Sequence, residues 1–165
     1  MTKFRLSALV LASLAVVGTS LAQGQKKTGP MHAAHVMVTP AEVKWGPGPP
    51  SLPPGAELAV LSGDPSKAGS MFTIRAKFPA GYKVPPHWHP TDEHVVVVQG
   101  TMLFGKGEKF DEAAAHEMPA GSFMVMPRNM RHSAMAKEES IVQIYGTGPF
   151  LVNYVNPADD PRKAK

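Results

Sequence analysis

The chain has 165 residues, 17 Lys and Arg against 13 Asp and Glu for a formal charge of +4, and no cysteine. The length suits one domain able to bury a core, and without cysteines disulfides are excluded, so stability rests on packing. The basic residues are scattered, with no Lys/Arg stripe interleaved with aromatics, which argues against a nucleic-acid partner.

Lys3 and Arg5 precede a small and apolar run from Leu6 to Val17 that ends in Ser20-Leu21-Ala22. Residues 1–22 read as a secretory signal peptide cleaved between Ala22 and Gln23, so the expected location is outside the cytoplasm, periplasmic or secreted. No later segment approaches roughly 18 consecutive apolar residues, and no stable membrane insertion is expected. No cysteine follows the small-residue site, so a lipid anchor there is not expected either.

Residues 23–56 read as a flexible Pro/Gly-rich arm, because Gly46-Pro47-Gly48-Pro49-Pro50 and Pro53-Pro54 forbid helix and central strand alike. Short apolar-alternating runs then follow at 57–61, 71–78, 93–99, 101–104, 122–126, 140–145 and 150–155. Their turn-punctuated spacing predicts an all-β sandwich or barrel over 57–156, with 157–165 as a C-terminal tail. Within 71–78 the apolar residues fall at Phe72, Ile74, Ala76 and Phe78, a half-buried strand of period two. Val95 to Val98 is apolar on both faces and predicts a central strand covered on both sides. Residues 111–117 alone have helix-forming composition and predict a turn or short surface excursion.

His87 and His89 are one residue apart, so on an extended strand both imidazoles share a face while Trp88 takes the other. Two ring nitrogens can then reach one ion at about 2.0 to 2.2 Å. Glu93 follows the turn Pro90-Thr91-Asp92, and His132 follows the turn Pro127-Arg128-Asn129 on a distant strand. Three imidazoles and one carboxylate suit one divalent transition metal, Fe, Mn, Zn, Ni or Cu, and leave coordination positions open for water or substrate.

These two segments resemble the motifs of the cupin superfamily. Gly81, His87, His89, Glu93 and Gly100 match the first motif without a gap, and Gly121, Pro127 and His132 match the second. Asn129 stands where the family usually has Gly, a change Asn tolerates because it too enters φ > 0. Ala136 stands where Asn is usual, which would leave the cavity wall one polar group short. The resemblance implies a single-domain jelly-roll β-barrel with the metal inside, bound by His87, His89, Glu93 and His132, and a homodimer with residues 43–54 as a segment that could cross to the partner. It implies no single activity. One reading is a metal-dependent oxidoreductase, dioxygenase-like, acting on a small organic molecule with Glu93 as catalytic base. The other is a non-catalytic or sensory module that holds a small ligand or metal.

Other residues have plainer readings. His94 neighbours Glu93 and should face away from the metal, packed or hydrogen-bonded. His116 should be solvated, and His32 and His35 should belong to a loose tail rather than an accessory metal site. Met118, Met124, Met126, Met130 and Met135 cluster around the second motif, where core packing outweighs soft ligation of copper. Arg75 and Lys77 fit a solvated face or, less well, a carboxylate-binding group at the barrel mouth, and Gln143 and Tyr145 share a face that could belong to the pocket.

Overall fold

A computed structural model describes residues 35–163. The signal-peptide segment 1–22, its cleavage site, and the start of the arm with His32 lie outside the described residues.

Among the described residues eleven strands form two antiparallel sheets. In chain order they are β1 (Gly46–Pro47), β2 (Glu57–Gly63), β3 (Met71–Phe78), β4 (Lys83–Trp88), β5 (Glu93–Gln99), β6 (Thr101–Lys106), β7 (His116–Pro119), β8 (Phe123–Met126), β9 (His132–Ala136), β10 (Ser140–Thr147) and β11 (Asn153–Tyr154). One sheet runs β1-β2-β3-β10-β5-β8 and the other β11-β4-β9-β6-β7. Sequence neighbours therefore often lie in different sheets, and the two sheets close on each other as a jelly-roll barrel.

The period-two pattern of β3 is realised: Phe72, Ile74, Ala76 and Phe78 are buried, and the residues between them are not. Val95 and Val97 from β5, Val142 and Ile144 from β10, and Met102 from β6 meet them in the core. Burying a side chain such as Phe72, 2% exposed, contributes about 1.5–3 kcal/mol. Met126 and Met135 are buried, and Met118, Met124 and Met130 pack against the core, so the methionines around the second motif serve packing.

Several expectations are corrected. β5 is not covered on both sides, because Val96 is half-buried and Val98 is 41% exposed. Its outer face, with His94, Val96 and Val98, is half-buried to exposed among the described residues. The arm is structured where it meets the barrel. Pro40–Glu42 forms a 3-10 turn, and β1 pairs antiparallel with β2 of the same chain. Pro47 is accommodated because β1 is the edge strand of its sheet. Residues 112–114 make a turn, closed in part by Asp111 accepting from Ala113 N, before β7 begins at His116. The tail carries two 3-10 turns, Pro157–Asp159 and Pro161–Lys163, tied back where Arg162 grips Asp160 and donates to Val152 O at 3.0 Å.

Candidate metal centre

β4 carries His87, and His89 follows directly after its last residue, Trp88. Pro85 and Pro86 interrupt its ladder with β9 between Val84 and His87, and the register resumes with His87 opposite His132. His87 and His89 are both buried while Trp88 between them is half-buried, so the alternation expected of an extended chain holds. Glu93 opens β5, opposite Met126 on β8, which brings a carboxylate from the other sheet to the same point.

Nitrogen atoms of His87, His89 and His132 lie within 4.8 Å of one another, and all three residues are buried. Glu93 Oε2 sits 3.4 Å from His89 Nε2 and 3.2 Å from His132 Nε2. The four residues expected to meet do meet, each at most 5% exposed.

Backbone oxygens orient every ring. His87 Nδ1 faces Pro85 O at 2.7 Å, His89 Nδ1 faces Leu151 O at 2.8 Å, and His132 Nδ1 faces Met130 O at 3.0 Å. A carbonyl only accepts, so each Nδ1 carries a proton and each ring turns its Nε2 into the cluster. His89 Nε2 and Glu93 Oε2 have no hydrogen-bond partner although both are buried. Lone pairs and a carboxylate turned on one another have no proton to share unless an imidazole becomes charged. A cation resolves that arrangement, so the donor set fits a metal.

The electrostatics favour that charge on His132. Burial, then the neighbouring His132 and His89, push His87 down to about 3. Burial likewise lowers His89, against the pull of Glu93. Burial opposes the charge on His132, but the Glu93 carboxylate outweighs it and raises His132 above the ordinary imidazole range. Burial also opposes ionisation of Glu93, yet His89, His132 and His87 together hold its carboxyl below the usual range.

The cluster forms part of the wall of a cavity of about 310 Å³ between the sheets, alongside Ile74, Val142, Ile144, Met102 and Phe104. Phe150 was not legible as a site residue. Its ring stacks on His89 at 4.4 Å and 14° between planes, and the next residue supplies the carbonyl that holds His89. No local signal marks a contact across 62 positions.

The remaining candidates stand elsewhere. His94 faces outward and stacks on Tyr145 at 4.9 Å, as its parity with Glu93 requires. Gln143 and Tyr145 lie on that outer face and not in the cavity, because Val142 and Ile144 take the inward positions of β10. Arg75 donates to Gln143 at 3.2 Å, and Lys77 pairs with Glu57 at 2.7 Å, so neither reaches the cavity mouth. His116 and His35 are exposed. Ala136 is fully buried in the core and does not line the cavity, so the missing Asn leaves no gap in the cavity wall. Asn129 adopts φ 63°, the conformation glycine would take, and its N–H donates to His89 O at 2.8 Å.

The ChrR cupin-like domain family matches residues 33–151. The chain belongs to this family. Solved structures with the same fold include the polyketide cyclase RemF from Streptomyces resistomycificus, 17% identical over 79% of this chain and 92% of that one, TM-score 0.60. A putative acetylacetone dioxygenase from Methylibium petroleiphilum PM1 is 21% identical over 78% and 86%, TM-score 0.59. KdgF from Halomonas sp. is 19% identical over 70% and 94%, TM-score 0.52. No functionally curated protein matches the cupin in sequence. At these identities the likeness carries the fold and not the chemistry.

Proposed function

We propose that this cupin is an exported protein that binds one divalent transition metal through His87, His89, His132 and Glu93 and acts on a small organic molecule as a dioxygenase-like oxidoreductase. The observation that carries the metal is the convergence of three buried imidazoles whose nitrogens lie within 4.8 Å of one another, with His89 Nε2 left without a hydrogen-bond partner. When bound, such an ion supplies Lewis acidity and, if redox-active, electron-transfer chemistry. The protein's own residues orient the three rings, enclose the reacting end of a ligand and offer Glu93 as proton acceptor. Glu93 suits that role because the surrounding imidazoles keep it ionised despite burial. The putative dioxygenase among the structural relatives supports an oxidative activity by analogy of fold alone.

A specific observation also favours the second reading, capture without turnover. Beyond the cluster, the only polar side chains in the cavity wall among the described residues are Ser51 and Ser66, and none of these residues places a second acid or base opposite Glu93. Metal analysis of protein from its native compartment, followed by oxygen uptake against small diketones and phenols, separates the two. Stoichiometric metal with oxygen consumption supports the enzyme, and stoichiometric metal with none supports the binding module.

A homodimer follows from the family resemblance. Val98, Phe123 and Val125, all at least 41% exposed on β5 and β8, are the apolar surface it would use. The arm is a poorer candidate for crossing between copies, since β1 already pairs within its own chain. Sedimentation of wild type and Phe123→Glu tests this, a wild-type monomer counting against it.

A further inference from the structure

We infer that the ligand this cavity accepts is an uncharged molecule with an apolar body and a single oxygen-bearing end directed at the histidine cluster; the assignment of that end rests on the metal reading above. Leu58, Ile74, Met102, Phe104, Val142 and Ile144 supply the wall, and among the described residues no Lys, Arg, Asn, Gln, Thr or Tyr side chain lines it. Of the two serines outside the cluster, Ser66 already donates its hydroxyl to Asp64 Oδ1 at 2.6 Å. Ser66 and Leu151 are both exposed, which places the opening among the loops that carry them. The polar side chains of the wall are therefore the cluster and two serines, and the rest of the lining is hydrocarbon.

That distribution decides among ligand classes. A sugar or polyol would bury several hydroxyls without partners, each weakening binding roughly five- to hundredfold. A second carboxylate or a phosphate would find no lysine or arginine in the wall and would meet the Glu93 carboxylate. An alkyl or aryl body loses nothing and gains about fourfold in affinity per buried methylene. The volume of about 310 Å³ holds on the order of ten water-sized groups, which sets the size of the body.

The test uses two series of probes with the mature full-length protein. Acetohydroxamate through octanohydroxamate are titrated by calorimetry into Zn²⁺-loaded protein, beside hydroxamates of equal length whose tails end in hydroxyl or carboxylate. Affinity should rise about three- to fourfold per methylene until the cavity is full. The hydroxyl- and carboxylate-ended probes should bind at least about tenfold more weakly than their alkyl counterparts. Butanol through octanol titrated into metal-free protein should show the same slope without any metal-directed head. Leu52→Ser, on the arm where it lines the cavity, and Ile144→Asn, deeper in the wall, should each weaken octanohydroxamate about tenfold more than acetohydroxamate. A hydroxamate head that prefers metal-loaded protein no more than metal-free protein defeats the metal reading alone. A flat chain-length slope in the alcohols, or tighter binding of the carboxylate-ended tails, overturns the apolar-ligand assignment whatever the metal does.

Discussion

His87 and His132 are cross-strand partners on β4 and β9, and their ring centroids stand 4.3 Å apart. One ladder contact therefore brings the two cupin motifs together, and a ligand lost from either strand leaves the other imidazole without its counterpart. His87→Ala, His89→Ala and His132→Ala should each lower metal affinity by at least the ~10–100-fold that even an outer-shell partner is worth. Glu93→Gln should bind metal more weakly than wild type but better than the histidine variants, and should abolish any proton-dependent turnover, since an amide is no base. His94→Ala should keep full metal content. Stoichiometric metal by elemental analysis in all three histidine variants would falsify the assignment.

The pH dependence of metal uptake should trace one proton. His87 is lowered to about 3 and His89 is lowered too, so both lose their charge more readily than an ordinary imidazole, whereas His132 is raised and holds its proton to higher pH than one. The ion must displace that proton. Apparent affinity should therefore fall about tenfold per pH unit below the raised value of His132 and level off above it. Calorimetry in buffers of different ionisation enthalpy should count about one proton released per ion in that window; three would show that the imidazoles titrate independently.

Asn129 occupies a left-handed conformation that β-branched residues resist. Asn129→Gly should leave stability within a few tenths of a kcal/mol, while Asn129→Val should cost about 1–2 kcal/mol. The valine variant should also weaken metal binding, because Asn129 N–H holds His89 O and the turn leads into His132. Thermal melts beside metal titrations check both, and an unchanged valine variant would count against the account.

Two tyrosines fasten the arm to the barrel: Tyr82 donates its hydroxyl to Pro53 O and Tyr154 donates to Ser51 O at 2.7 Å. Tyr154 lies directly across β11 and β4 from His87, so the same strand pair supports the arm and a ligand. Tyr82→Phe and Tyr154→Phe should each cost about 0.5–1.5 kcal/mol, concentrated in the arm. Limited proteolysis should find residues 49–54 cut faster in the double variant with the barrel intact. Equal cutting rates would show that the hydroxyls do not hold it.

Processing is tested independently of the fold. The basic start and apolar run predict that exported protein begins at Gln23. Mass spectrometry of periplasmic or secreted material should find residues 1–22 missing, and intact Met1 on such material would contradict the reading.

The four clustered residues were legible because their cause is local. His-x-His on an extended chain fixes parity, and the turns before Glu93 and His132 fix where the next strand starts. The period of β3 was legible for the same reason. What escaped depends on pairings far apart in sequence. Nothing near Val98 shows that the outer face of β5 is bare, and nothing near Phe150 shows that its ring lies on His89. Gln143 and Tyr145 were ambiguous because alternation says which residues share a face but not which face is inside. The arm looked unable to form structure from its prolines, yet an edge position asks for few donors, and β1 fits there.

The three carbonyls that aim the imidazoles belong to Pro85, Met130 and Leu151. A main-chain oxygen survives any side-chain replacement, so an alanine substitution at any of the three would leave the acceptor itself in place. They would be hard to see in a comparison of related sequences, where residue identity could drift without altering the acceptor. Retuning this centre for a different ion would then call for an insertion, a deletion or a shifted turn in the segments before His87 and His132 or in the loop of Leu151. Point substitutions elsewhere could change what enters the cavity while the ring orientations stay as they are.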